Sequence, residues 1–431
     1  MTKTFPPEVV RSLILYLKDD KKSLHSCLLV SRDWCREAVY LLWRQPFHFL
    51  YTCNKTNLSF SSQSTNPKLI NNCHCSKEKR QSQATNLLMT YYSIKYYDEL
   101  IKEGIIDTKS KNTLFNYLEF LNVLNLQELF AAIIDWTGWD ESDNEIPLLK
   151  LLNFLNSKFN LNNIDTLDEC TLLTFKSIFK YFFTYSSELK LLSFDAKFIL
   201  RKINNNPCSF LKRCYVDYHY EFMKEFNELN FPETRQCFTN LTELVFTKGK
   251  RKDEIFSLLS QTCHNIQKMI IKVKYHVHIG CGTAINRAKN STLEEAKQVA
   301  SLIRSQHNLI YFELFDTHQN GVSEILKSLK ETQHNSLKTL IFNSIHIDYN
   351  RYVLFYLKYF QNLQELRFIK CIYKSIWKMD KIDYEKRNDY EEGLWLPNLK
   401  LLQVDYLDEY KEDSDKLYSI LLGCSPLIDE I

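Results

Sequence analysis

The chain opens with helical spacing. Val10, Ile14 and Leu17 recur at i, i+4 and i+7, with Val9, Leu13 and Tyr16 beside them. Pro6 and Pro7 stop any earlier helix, and Pro7 suits the first helical position, where its missing N–H costs nothing. The charged turn Lys18 to Lys22 ends this helix. Ser23 is expected to cap a second helix carrying Leu24, Cys27 and Leu28. Ser31 is expected to cap a third, on which Trp34, Ala38, Leu41 and Leu42 share one side. Trp43 lies about two and a half turns beyond Trp34, on the opposite side. The pattern therefore places Trp34 in the bundle core and leaves Trp43 for the rest of the chain or a partner. Three short helices in about forty residues is near the lower limit for an independent fold. The consecutive Leu28, Leu29 and Val30 exceed a single stripe, so something else should cover part of this surface.

Beyond it the pattern changes twice. Residues 51–86 turn to Ser, Thr, Asn, Gln and Lys, as in a linker or long loop. Helical spacing returns over 87–185, with blocks at Leu87 to Ile101, Leu114 to Ile134, Leu148 to Phe159 and Leu172 to Thr184. Trp136, Gly138 and Trp139 break the second block and read as a loop pinned on the core. From 186 onward a degenerate unit recurs: a polar residue, then Leu-x-x-Leu-x-Phe with varied apolar types. Its first apolar positions are 189, 211, 241, 266, 309, 337, 363, 399 and 428. Most steps fall near a repeat period of roughly 20–29 residues. Longer steps after 266 and 363 need insertions, expected at Val273 to Asn290 and Lys378 to Glu392. Amphipathic helices are expected between strands, at Glu254 to Ser260, Leu293 to Arg304, Ser323 to Lys330 and Tyr352 to Phe360.

In each unit the second and third apolar residues are two apart and face the core. The intervening residues face the other way. Glu243, Val245, Thr247, Lys268, Ile270, Lys272, Tyr311, Glu313 and Phe315 should lie on that face. So should Thr339, Ile341, Asn343, Glu365, Arg367, Ile369, Leu401, Gln403 and Asp405. Unless the chain's own inserts cover them, these residues form one surface mixing both charge signs with Val, Ile, Tyr and Phe. Exposed mixtures of that kind often mark protein contacts.

Composition narrows the function. Of 431 residues, 45% are hydrophobic and 25% charged, with a net charge of +3, so no general attraction to nucleic acid or anionic membrane follows. Only 8 residues are glycine, which leaves few places where backbone could approach a phosphate. The N-terminal stretch lacks the apolar core of a signal peptide, and no apolar run approaches a membrane span. Thirteen cysteines, including Cys27, Cys170 and Cys214, then read as buried thiols in a reducing compartment. That points to the cytoplasm, with the nucleus as the other reducing location.

The opening residues resemble the F-box family. Phe5-Pro6-Pro7-Glu8-Val9 matches its Leu-Pro-x-Glu-aliphatic start, with Phe5 replacing the leucine. Tyr16-Leu17 matches the close of its first helix, Leu29-Val30-Ser31-Arg32-Asp33-Trp34 its Val-Ser-Arg-x-Trp, and Leu42-Trp43-Arg44 its terminal Trp-Arg. The later segment resembles the irregular leucine-rich repeats that often follow an F-box in fungal proteins. The repeat-closing Asn is mostly missing, although Asn343 follows Phe342. The resemblance implies an α/β architecture: an F-box over 1–50, the polar linker over 51–86, a helical connecting region over 87–185, and a repeat solenoid over 186–431. It also implies a non-catalytic substrate receptor of an SCF-type cullin–RING ubiquitin ligase. The F-box would dock on the Skp adaptor, and through it on cullin and RING subunits. Pro6, Glu8, Val9, Leu17, Leu29, Val30, Ser31 and Trp43 are the expected adaptor-binding residues. Glu243, Val245, Lys268, Ile270, Tyr311, Glu313, Glu365 and Arg367 are the expected target-binding residues. The alternative is a repeat scaffold that recruits no ligase.

Motifs for chemistry are weak. Gly280-Cys281-Gly282 lacks the third glycine of a dinucleotide site. Cys73-His74-Cys75, His276 with His278, and His346 with Asp348 each fall short of the roughly four ligands a metal needs. The basic run Lys248 to Lys252 reads as a solvated turn. No cofactor, metal, nucleic-acid or membrane partner is expected.

Overall fold

The computed structural model describes residues 5–51, 77–102, 115–137, 178, 180–186, 188–195, 237–247, 255–273, 294, 296–316, 322–345, 352–371, 394–406 and 421. The chain divides into two compact units, Met1–Phe194 with Phe198–Glu225, and Asp195–Lys197 with Phe226–Ile431.

The first unit begins with α1 (Pro7–Tyr16), α2 (Lys21–Cys27) and α3 (Arg32–Arg44). Pro7 takes the first helical position of α1. Ser31 caps α3, its Oγ accepting from the Trp34 N–H at 3.4 Å. The cap of α2 is not Ser23 but Asp20. Its carboxylate accepts from the Lys22 and Ser23 N–H groups at 3.0 and 3.1 Å, and Ser23 Oγ donates to it at 2.6 Å. A carboxylate is the stronger acceptor for orphan helix N–H groups. The Ser23 hydroxyl and N–H, followed by the Lys22 N–H and charge, hold its pKa below the usual carboxylate value. One apolar cluster joins the three helices: Val10 and Ile14 of α1, Leu24 and Cys27 of α2, and Ala38, Leu41 and Leu42 of α3. Trp34 is only half-buried at its margin, which corrects its expected place in the centre. Ala38 and Leu41, one turn and two turns on, take the centre instead.

After the short α4 (His48–Tyr51) comes α5 (Lys77–Lys102), which begins well inside the segment read as linker and kinks at Tyr96. Ser93 donates to the Thr90 carbonyl and Thr90 to that of Asn86, just before the kink. Such back-bonding bends helices. The run read as one helix from Leu114 to Ile134 is instead three pieces. They are a 3-10 turn (Tyr117–Phe120), strand β1 (Val123–Asn125) and helix α6 (Leu126–Thr137). Asn125 makes the change of state. Its Oδ1 accepts from the Gln127 and Glu128 N–H groups at 3.0 and 3.5 Å, capping α6 inside an apolar run. Trp136 is buried at the end of α6, while Gly138 and Trp139 lie outside the described residues. β1 pairs in parallel with β2 (Leu191–Asp195), Val123 opposite Leu191. Phe47, Tyr91, Tyr181 and Phe182 form the aromatic centre of this unit.

The second unit holds β3 (Glu243–Thr247), β4 (Lys268–Val273), β5 (Tyr311–Asp316), β6 (Thr339–Asn343), β7 (Glu365–Cys371) and β8 (Leu401–Tyr406). They pair in parallel and in chain order, stacked as in a solenoid. Between them run α7 (Ile255–Thr262), a helix over 296–304, α8 (Val322–Gln333) and α9 (Tyr352–Leu357). These fall where amphipathic spacing places them. Leu244, Met269, Phe312, Leu340 and Leu366, the second apolar residue of successive units, are fully buried. So are Leu241, Ile266, Leu309, Leu337 and Leu363, the first. The units at 211 and 428 lie outside the described residues, as do both expected insertions, except for the first residue, Val273.

Amide side chains tie one unit to the next. Asn265, Asn362 and Asn398 each stand just before a first apolar position. They donate to the carbonyls of Thr239, Asn335 and Gln361, one repeat earlier, at 3.4, 2.8 and 2.9 Å. Gln306 and Gln333, both buried, each accept from a first-position N–H, of Ile266 at 2.9 Å and Leu309 at 3.0 Å. These bonds satisfy turn backbone that the sheet does not reach.

Candidate docking surfaces

Nine large hydrophobic side chains are exposed among the described residues, and seven belong to α1, its approach and the turn between α2 and α3. Val9, Leu13 and Tyr16 lie along one stripe of α1, next to the buried Val10 and Ile14, and Phe5 is exposed just before the helix. Leu15 is exposed beside them. At the turn into α3, Leu29 is 90% and Val30 62% exposed. A cluster built from three short helices has room for one apolar stripe from each, and the surplus faces solvent. Pro6, Glu8 and Ser31 are exposed alongside. Of the expected adaptor-binding residues, six are therefore exposed. The other two do not. Leu17 packs half-buried on the helical cluster. Trp43 stacks on Tyr117 at 3.8 Å between ring centroids and meets the edge of Tyr91 at 5.4 Å. Its indole is engaged by the chain itself.

The strand face has the register that the sequence predicts. Glu243, Lys268, Tyr311, Thr339, Glu365 and Leu401 stand opposite one another across β3 to β8, and Val245, Ile270, Glu313, Ile341, Arg367 and Gln403 form the next row. Accessibility is another matter. Ile270, Glu313 and Ile341 are 2%, 3% and 4% exposed, and Val245 is buried too, so the expected exposed Val and Ile of this row are corrected. Rows of longer side chains flank the buried one. The Lys268 ammonium lies 5.4 Å from the Tyr311 ring centroid, and that of Lys272 lies 4.7 Å from the Phe315 centroid.

The charges of this face are also paired. Lys268 Nζ is 3.3 Å from Glu243 Oε2. The Tyr311 hydroxyl donates to Glu313 Oε2 at 2.9 Å. Arg367 Nε donates to Glu365, and Arg367 Nη1 donates to Gln403 at 3.1 Å. Burial pushes the Glu313 carboxyl above its usual value. The Tyr311 hydroxyl, Lys272, Lys268 and Asn343 oppose the rise without cancelling it.

Two further contacts have no signal in the local pattern of the chain. His48 Nδ1 lies 3.0 Å from Glu128 Oε1, joining α4 to the first turn of α6. Tyr40 Oη donates to Asn122 Oδ1 at 3.1 Å. Each couples residues about eighty positions apart, beyond the reach of local periodicity.

Among the described residues no group of three His, Cys, Asp or Glu could hold a metal ion, and no helix is long and apolar enough to cross a membrane. The Cys73–Cys75, His276–His278, Lys248–Lys252, Gly280–Gly282 and His346–Asp348 segments lie outside the described residues. No protein-family model matches the chain, and no curated protein or solved structure matches it.

Proposed function

We propose that this protein is a non-catalytic substrate receptor of an SCF-type ubiquitin ligase. Its N-terminal helices dock on a Skp-type adaptor, and its strand–helix repeats engage a protein target. The observation that carries the reading is the concentration of seven exposed large apolar side chains on α1, its approach and the α2–α3 turn. The F-box-like motifs in the same stretch point to the adaptor as their cover. Ubiquitin transfer belongs to the other subunits, and this chain contributes proximity by raising the target's effective concentration.

The test is capture of a Skp-type adaptor by the full chain carrying Val9→Asp or Leu29→Asp. Both side chains are exposed, so the fold should survive while capture is lost. Deleting residues 1–47 is a poorer test, because Tyr40, Trp43 and Arg44 also brace residues 117–122. Undiminished capture by both variants overturns the receptor reading. It would favour instead a repeat scaffold without ligase function, a reading that the internal stacking of Trp43 supports.

A further inference from the structure

Asn122 sits immediately before β1, 5% exposed, and four of its atoms are bonded. Its N–H donates to the Arg44 carbonyl at 3.1 Å. Its Oδ1 accepts from the Tyr40 hydroxyl at 3.1 Å, and its Nδ2 donates to the Phe120 carbonyl at 3.2 Å. Its carbonyl accepts from the N–H groups of Lys190 and Leu191 at 2.8 and 3.0 Å, the entry to β2. Two of these partners lie on α3 and two at the entry to β2. The amide is the one side chain of this size with both an acceptor and a donor head group: aspartate lacks the donor and leucine lacks both. A buried group so placed is costly to disturb, because each lost partner leaves another polar group unsatisfied.

We propose that Asn122 is a joint coupling the three-helix unit to the β1–β2 pair, so that a partner docked on α1–α3 also restrains the strand pair. Asn122 thereby acts as a positioning residue. The consequence for docking rests on the receptor reading, whereas the coupling itself is independent of it. Trp43 stacked on Tyr117 and Tyr40 edge-on to Phe120 at 6.3 Å flank the same joint and limit how far it can open.

Amide hydrogen exchange on the full chain tests this without a partner. Ile14→Ala loosens the helical cluster at a distance from Asn122, with Ile14→Val as the milder variant if the first does not fold. Exchange in α3 should rise roughly tenfold, as for partial loss of a local folding unit. The amides of Lys190 and Leu191 should rise with it. Adding Tyr40→Phe, which removes one hydroxyl, or Asn122→Ala should shrink that carry-over while α3 stays loosened. A rise confined to residues 7–44, or a carry-over indifferent to Tyr40→Phe and Asn122→Ala, overturns the joint. With a Skp-type adaptor added to the unmutated chain, protection should extend to Lys190 and Leu191. An adaptor that does not bind counts against the receptor reading alone, and one that binds but protects only residues 5–47 counts against the joint.

Discussion

The N-terminal helices and the strand face of the repeats differ in what they do with apolar side chains that point away from the core. On α1 and the α2–α3 turn the apolar surplus stays in solvent: Tyr16 is 89% exposed and Leu29 90%. On the strand face the apolar row through Val245, Ile270 and Ile341 is buried, and the charges beside it are paired. The difference is geometric. A helix in a small bundle has one neighbour-facing stripe, and among the described residues none covers the rest. A central strand has neighbours about 4.8 Å away on both sides, so outward side chains shelter one another. Periodicity gives the direction of a side chain in both regions. It gives accessibility only where the element lacks close neighbours.

The largest expected effect falls on the strand face. Ile270→Ala should destabilise the chain by about 2–5 kcal/mol, as truncation of a buried isoleucine does. Chemical denaturation reads this directly. An exposed outward residue would cost within about 0.5 kcal/mol, and such a result would return Ile270 to the open surface. Next is Leu29→Asp on the helices. It should leave stability within about 0.5 kcal/mol yet weaken adaptor binding by about 2 kcal/mol or more, the scale of an interface hot spot. Titration of adaptor against both chains separates the two quantities. A loss of stability without a change in binding would make Leu29 a structural residue and blur the contrast.

A smaller effect concerns how the helical unit is held. Burial alone would lower the His48 pKa, but the hydrogen bond and charge of Glu128, with the charge of Asp19, raise it above the ordinary 6.5. A raised imidazole pKa in the fold contributes stability in full below the unfolded value and loses it as pH rises through the folded one. Stability should therefore decline as pH is taken upward from 6.5, and Glu128→Gln should flatten the decline. A charge-assisted hydrogen bond of this kind is worth about 1.5–3 kcal/mol. An identical pH profile in Glu128→Gln would assign the decline to another group.

Much of this architecture was legible in the sequence. Leu-x-x-Leu-x-Phe units mark the six described strands of the second unit, because a core-facing position every second residue is imposed by the pleat itself. Pro7, Ser31 and the apolar spacing of α1 and α3 located the first helices. What escaped is what spacing does not encode. Asn125 ends a strand and caps a helix inside one apolar run. Asp20 outcompetes Ser23 for the start of α2. The burial of Glu313, and the choice of Tyr117 over a partner for Trp43, depend on residues distant in the chain or in neighbouring strands. Of the candidate surface, the helical half was visible as apolar residues in excess of one stripe. The strand half was visible as register but not as burial.

The smallest expected effect tests whether the paired charges of the strand face matter to the fold. Glu243 and Lys268 lie opposite each other on β3 and β4, with 38% and 30% of their side chains exposed. Solvent at that exposure screens most of the attraction, so the pair is worth about 0.2–1 kcal/mol. Lys268 keeps its approach to the Tyr311 ring when Glu243 is neutralised, which limits the loss further. Glu243→Gln should therefore lower stability only slightly at low salt, and the difference should vanish toward 1 M salt, where screening acts within about 3 Å. A larger, salt-insensitive loss would mean that Glu243 is sealed like Glu313. The buried zone would then reach the first row of the face as well as the second, and the contrast with the open helices would be sharper still.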